Sequence, residues 1–297
     1  MDIGRIGIWT FTLDLVPSAQ GVEHVDELDE LGFGAVWVPE AVGREAFTSA
    51  SLLLRGGTDI VVATGVAGIY GRDPMTANAA HRTVTEAYPD RFLLGLGVSH
   101  QVMVEGVRKH DYSKPFSAMR TYLDGMDEGM FFATNPTTEP VRVLAALGPR
   151  MLGLARDRSA GAHTYFVPPE HTAAARATLG EGPILAVEQA VVFETDPERA
   201  RSIARSHTKT YTSLPNYTNN LLRLDPSWTE EDFAHAGSDR LVDTIVAWGT
   251  EEQILSRIQA HLDAGASHVC IQVVADDLAP PIEAWRRLSD AFALRSA

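Results

Sequence analysis

Between Ile60 and His100 the chain reads IVVATGVAGIYGRDPMTANAAHRTVTEAYPDRFLLGLGVSH: an apolar run, a glycine-bearing turn, an Asp-Pro pair, a helical stretch, and a second apolar run ending in small residues. Ile60–Ala67 and Phe92–Val98 are apolar on successive residues instead of alternating, the pattern of parallel strands covered on both faces. Asp73 and Pro74 supply a helix N-cap and a first-turn proline. The block therefore reads as one β-loop-α-β unit. The residues that follow its strands, Gly68, Tyr70, Gly71 and Arg72 and then Ser99 and His100, fall at the carboxyl edge of the sheet, where α/β proteins build their sites.

The same alternation extends in both directions. Arg5–Trp9 reads as a first strand. Ser18 is placed to cap a helix carrying Val22, Val25, Leu28 and Leu31, closed by Gly32. Ala35–Val38 is a second strand, followed by a helix near Phe47–Leu54. After the opening block come a helix over Pro115–Met130, a fifth strand Val141–Leu147 and a helix opened by Gly148 and Pro149. A sixth strand Ala162–Val167 precedes a helix opened by Pro168 and Pro169. Ile184–Phe193 is a seventh strand, followed by an Asp196-Pro197 helix start. Thr250 and Gln253 form a capping box for a helix ending at Gly265, before the last strand His268–Val274. Eight strands alternating with helices favour a closed (β/α)8 TIM barrel over an open doubly wound sheet. The stretch from about 206 to 243 is too long for one crossover and predicts a helical insertion between strands 7 and 8. The whole chain, 1–297, is expected to be one domain.

Composition limits the partners. The 297 residues carry 25 Lys and Arg against 39 Asp and Glu, a formal net charge of -14, which disfavours nucleic acid and anionic lipid. No apolar stretch approaches the ~20 residues of a membrane span, and the amino end, MDIGRIGIW, shows no signal-like region, so a cytoplasmic location is expected. The single cysteine, Cys270, lies in an apolar run and reads as a core thiol. GLGVSHQ fails as a dinucleotide fingerprint, because His100 stands where the third glycine belongs, and as a hydrolase elbow, because Gln101 replaces the last glycine. The ten histidines contain no H-E-x-x-H, and no protein-bound metal is expected.

Thr64-Gly65-Val66, Arg72-Asp73-Pro74 and RFLLGLGVSH at Arg91–His100 occur in an order and spacing that resemble the bacterial luciferase-like flavin and deazaflavin oxidoreductases. Further matching stretches are LGFGAVWVPEAVGREAF from Leu31, VLAALGPRML from Val143, GAHTYFVPPEH from Gly161 and AWGTEEQILSRIQAHLDAGASHVCIQV from Ala247. The likeness spans nearly the whole chain and is greatest for the coenzyme F420-dependent branch. It implies a barrel holding a planar ring at its carboxyl mouth, with the phosphate tail near strands 5 to 7, and hydride transfer between C5 of the deazaflavin and a small organic substrate. The alternatives are a reduced-FMN monooxygenase, since deazaflavin lacks N5 and reacts poorly with oxygen, or a cofactor-binding barrel without turnover. Members of the superfamily often pair through outer helices, so a homodimer is expected; Met119, Met126, Met130, Phe131 and Phe132 would suit such a face and would equally suit the core.

The resemblance also assigns residues. Gly65-Val66, followed by Ala67, matches the place of a non-prolyl cis peptide that bulges against the ring; the other reading is an ordinary strand glycine. Gly97, Ser99 and His100 match the strand end near C5, with His100 as proton donor or acceptor or else a solvent-facing loop histidine. Glu40 matches an acidic residue beside cofactor and substrate, and otherwise forms a rim salt bridge with Arg44 or His100 holding it ionised. Ala41 stands where related sugar-phosphate dehydrogenases have histidine, so their substrate does not transfer. Leu147, Gly148 and Pro149 open a helix whose free N–H groups suit a phosphate. Tyr165 falls near the tail and Trp9 against the ring, with core packing as the alternative for both. Apart from the resemblance, the aromatics of the insertion either bury it or wall a substrate pocket; Tyr217 among them, with Arg44, is expected on the substrate side.

Overall fold

The computed structural model describes residues 1–294. Its eight main strands are β1 (Ile6–Trp9), β2 (Ala35–Val38), β3 (Val61–Thr64), β4 (Phe92–Gly97), β5 (Val141–Ala145), β6 (Gly161–Thr164), β7 (Ile184–Val192) and β8 (His268–Val273). Each pairs in parallel with the next, and β8 pairs in parallel with both β7 and β1, which closes the barrel. Two two-residue strands are appended at the rim: Ala67–Gly68 on β4 and Ala247–Trp248 on β7. Most strand positions are buried because helices cover the outside while side chains fill the inside. Deep in the barrel Trp37 stacks on His163 at 4.6 Å and donates through Nε1 to His268 Nε2 at 3.0 Å. His268 therefore carries its proton on Nδ1, which donates to the Gly4 carbonyl at 2.8 Å.

The helices are α1 (Ser18–Glu30), α2 (Ala46–Leu53), α3 (Pro74–Ala87), α4 (Pro115–Asp127), α5 (Pro149–Arg158), α6 (Pro169–Leu179), α7 (Pro197–Thr212), α8 (Pro215–Leu224), α9 (Glu230–Phe233), α10 (Asp239–Ile245), α11 (Glu251–Asp263) and α12 (Ile282–Ala291). Asp73 accepts from the Thr76 N–H and Asp196 from the Arg199 N–H, and Thr250 with Gln253 closes a capping box, as the sequence indicates. Ser18 does not cap α1: Pro17 holds the N-cap position and Ser18 lies inside the helix. A proline there presets the entry backbone without offering a side-chain acceptor.

Several boundaries differ from the sequence reading. The third strand stops at Thr64 and pairing resumes at Ala67, because the chain bends through Gly65 and Val66. The sixth ends at Thr164, since Phe166 takes a left-handed backbone with φ 59°. The insertion lies between β7 and β8 as expected, but α7 runs unbroken through Ser206 to Thr212, so the extra helices begin at Pro215. α4 ends at Asp127 instead of Met130. Met119 and Met126 are core residues, whereas Met130 and Phe132 are exposed. No helix among the described residues is long and apolar enough to cross a membrane.

Candidate active site at the barrel mouth

The mouth is built around the break in the third strand. The Gly65–Val66 peptide is cis. Trp9, at the end of β1, donates through its indole N–H to the Gly65 carbonyl at 3.2 Å, and a Cβ on Gly65 would lie 2.6 Å from that nitrogen. The Val66 side chain fills space that glycine leaves in β4: a Cβ on Gly97 would come within 2.4 Å of Val66 Cγ2, and one on Gly95 within 2.0 Å of the Thr64 carbonyl oxygen. Thr64 Oγ1 also accepts from the Gly95 N–H at 2.9 Å and donates to the Gly95 carbonyl at 2.8 Å. The GLG of β4 is thus a packing requirement of the TGV of β3. Ala67 is fully buried and paired with Leu96.

Glu40 sits under this segment and is fully engaged. One carboxylate oxygen accepts from the Gly68 N–H at 2.8 Å; the other accepts from the Ala46 N–H at 3.2 Å and pairs with Arg72. Arg72 also bonds Glu45 at 2.8 Å and the Gly68 carbonyl at 3.1 Å. Neither Arg44 nor His100 is the partner. Arg44 instead donates to the Leu13 and Val16 carbonyls at 2.7 and 2.6 Å, tying down the loop after β1, so both terminal nitrogens are already used. The Glu40 and Arg72 side chains are 5% and 8% exposed. Losing one member of a buried pair strands the other, so Glu40→Ala is expected to cost about 3 kcal/mol in guanidinium unfolding. A loss below about 1 kcal/mol would show that the pair does not brace the segment.

His100 follows β4. Its backbone is held from both sides: Ser99 adopts φ 57° and its carbonyl accepts from Tyr112 Oη at 2.9 Å, while the His100 carbonyl accepts from the Met103 and Val104 N–H groups, both at 2.9 Å. Its Nδ1 lies 3.3 Å from Asn216 Oδ1 in the first turn of α8, and its ring centroid is 5.5 Å from that of Tyr217. Burial pushes the imidazole pKa below its usual value, and the Asn216 contact partly offsets this. Nε2 has no protein partner among the described residues. His100 and Glu40 share no hydrogen bond.

On the opposite side the wall is aromatic. Tyr165 Oη donates to Gln272 Oε1 and therefore accepts from Tyr211 Oη, each at 2.7 Å, and its ring lies 5.2 Å from Trp9. Tyr217 is buried against Tyr211 and Phe166. Below them Glu188 is buried with one carboxylate oxygen unpartnered and the other 3.3 Å from the Phe166 N–H, so desolvation pushes its pKa up to about 8. Glu188 and the Asn216 contact escape a reading by motif, although a lone carboxylate inside the apolar run ILAVEQAVV marks the first; Arg72 stands in a motif, but its pairing with Glu40 does not show there. Cys270 is a core thiol, its Sγ 3.4 Å from the Val187 carbonyl.

At the start of α5, Gly148 is the N-cap and has no side chain to fill the position. The Arg223 guanidinium of α8 lies across it, 3.5 Å from where a Cβ would stand, and no carboxylate pairs with this arginine among the described residues. Asn220 Oδ1 accepts from Arg223 at 3.1 Å, leaving the buried Nδ2 unpartnered. His171 Nε2 is 2.8 Å from the Leu147 carbonyl, with Nδ1 buried and unpartnered. A glycine cradle, a guanidinium with no carboxylate partner among the described residues, a helix N-terminus and an orphaned amide donor together suit the anionic end of a ligand, and the Trp9–Tyr165 wall suits a flat ring. No group of His, Cys, Asp or Glu positioned to hold a metal occurs among the described residues.

Comparison with known proteins bears on this arrangement. Residues 9–268 match the family described as luciferase-like monooxygenase. A Mycobacterium tuberculosis protein named as a coenzyme F420-dependent oxidoreductase is 26% identical over 208 residues, covering 60% of this chain and 59% of that protein's length. Among solved structures, an F420-dependent secondary alcohol dehydrogenase in complex with an F420-acetone adduct superposes with a TM-score of 0.77 at 14% identity, over 99% of both chains. The oxygenating constituent of 3,6-diketocamphane monooxygenase from Pseudomonas putida, in complex with FMN, gives 0.67 at 14% identity over 98% of both chains. The two solved structures share this chain's fold over nearly their whole length, and the family match across residues 9–268 shows that the chain belongs to the luciferase-like monooxygenase family.

Proposed function

We propose that this protein is a coenzyme F420-dependent oxidoreductase acting on a small organic molecule. The observation that carries the reading is His100: a titratable imidazole just past the strand whose Gly97 packs on the Gly65–Val66 bulge, bonded through Nδ1 and without a partner at Nε2 among the described residues. When bound, the deazaflavin supplies a hydride-accepting or hydride-donating carbon. Trp9, Gly65 and Val66 form the surface behind the ring, with Gly97 and Ser99 beside it. Leu147, Gly148 and Pro149 open the helix that receives the anionic tail, with Arg223 as counter-charge and Tyr165 nearby. His100 holds or takes up the substrate proton at Nε2. Glu40 keeps the Ala67–Gly68 segment in place through the Gly68 N–H. Arg44, by fixing the loop after β1, and Tyr217, beside His100, shape the substrate side. Deazaflavin use is supported by the named activity of the mycobacterial relative.

A second reading, a reduced-FMN monooxygenase, is favoured by the family's description and by the FMN-bound neighbour. An anaerobic screen of ketones, alcohols and activated alkenes separates the two. The proposal expects a substrate-dependent change in deazaflavin absorbance without oxygen; turnover that requires FMN and consumes oxygen would overturn it.

A further inference from the structure

Where the sixth strand ends, a side chain takes over from the ladder. β6 and β7 pair from Gly161 and Ile184 up to Thr164 and Val187, and the next residue of β7 is Glu188. Beyond Thr164 the chain turns through Phe166, which is 1% exposed and adopts φ 59°, a left-handed backbone that a residue with a Cβ rarely takes. The turn carries the Phe166 N–H out of the ladder, and a buried N–H must find an acceptor. Glu188 Oε2 supplies it at 3.3 Å. Glu188 is itself buried opposite Cys270 in the β7–β8 register, with Oε1 unpartnered and no Lys or Arg beside it among the described residues. A buried carboxyl without a cation is costly, and packing alone would be served better by an apolar residue.

The constraint is passed on through rings. Phe166 packs edge-on to Tyr217 with centroids 5.5 Å apart and lies 5.1 Å from Tyr211, which packs edge-on to Tyr217 at 5.1 Å. Tyr217 in turn lies 5.5 Å from the His100 ring. We propose that Glu188 is a positioning residue for the mouth: its carboxyl holds the Phe166 turn, and the Phe166 and Tyr211 rings hold Tyr217 against His100. The bearing of this placement on turnover rests on the role given to His100 above; the placement itself does not.

Protonation supplies the handle. Desolvation pushes the Glu188 pKa up to about 8. Around it, burial pushes the Tyr165, Tyr211 and Tyr217 hydroxyls and the Cys270 thiol up, and the His163, His207 and His268 imidazoles down to about 3, 4 and 4. Glu188 is therefore the group of this cluster that gains charge between pH 7 and 9. An ionised carboxylate with an unpartnered oxygen demands donors, and the hydroxyls at hand belong to the Tyr211–Tyr165–Gln272 chain, so ionisation pulls on the wall.

The test follows the His100 ring resonances by NMR on the full chain without cofactor, assigned by comparison with His100→Ala. In the wild type they are expected to move between pH 7 and 9 with a midpoint within about one unit of 8, although His100 is already neutral there. Glu188→Gln, which keeps the acceptor and stays uncharged, is expected to match the wild type at pH 7 and to show no such transition. Glu188→Met, which removes the acceptor, is expected to displace the resonances at pH 7 in the same direction as Tyr217→Leu. Wild-type resonances that ignore pH over this range, a transition that persists in Glu188→Gln, or a folded Glu188→Met identical to the wild type would overturn the proposal. If Glu188→Met does not fold, the first two comparisons decide. No cofactor or substrate enters the measurement, so its failure is distinct from failure of the oxidoreductase reading.

Discussion

His100→Ala is expected to lower kcat by about 10²- to 10⁴-fold, the usual contribution of a positioned acid or base, while the dissociation constant of the cofactor changes less than about threefold. The loss follows from where the imidazole stands. It stands at the end of the strand beside the third-strand break with Nε2 unpartnered among the described residues, whereas Glu40 is consumed by Arg72 and two backbone N–H groups. As a base His100 must be neutral, and burial holds its pKa below the ordinary value of 6.5. In the direction that releases a substrate proton, kcat/KM is therefore expected to stay level through neutrality and to fall only as pH drops below 6.5. Stopped-flow turnover of wild type and variant across pH reads both effects. Full activity in His100→Ala would remove the proton-transfer role.

Acid unfolding is the second large effect. His81, His163 and His261 are pushed down to about 3, and His207 and His268 to about 4, in each case chiefly by burial. Their folded pKa values lie below the unfolded value near 6.5. The stability they contribute is therefore present above pH 6.5 and is lost as pH falls toward 4, because the unfolded chain takes up protons that the folded one refuses. Glu188 acts oppositely: with its folded value raised to about 8, its contribution is present below about 4.5 and lost as pH rises through 8. Near pH 5.5 the balance is roughly four protons taken up on unfolding, a slope on the order of 5 kcal/mol per pH unit. Against a total stability of about 5–15 kcal/mol, the acid midpoint is expected between about pH 3.5 and 5.5 by circular dichroism. A stability that stays level between about pH 6.5 and 5 in denaturant unfolding would contradict the burial of these imidazoles.

Most of the barrel is legible in the sequence because parallel strands advertise themselves as unbroken apolar runs and helix starts as Asp-Pro pairs. Ala35–Val38 and the Thr250–Gln253 box are read off directly. The misplaced ends have a common cause: apolar residues continue past the point where the backbone turns. Val66 and Phe166 look like strand and are instead the bend in the third strand and a left-handed residue after the sixth. Partnerships are the harder part. Glu40 and Arg72 are separated by 32 positions, His100 and Asn216 by 116, and no local pattern encodes either pairing. Arg72 stood in a recognised motif, but only the folded chain shows that it, and not Arg44, neutralises Glu40. Tyr165 and Tyr217, each suited to core or ligand, prove to be packed together while still walling the mouth.

The most direct test of the account is an equilibrium titration of the protein with oxidised F420 and with FMN, followed by fluorescence. Saturable binding at least about tenfold tighter for F420, weakened about tenfold by Arg223→Gln at the Gly148 cradle, is the predicted result. Tighter binding of FMN, or F420 binding indifferent to Arg223, would contradict it.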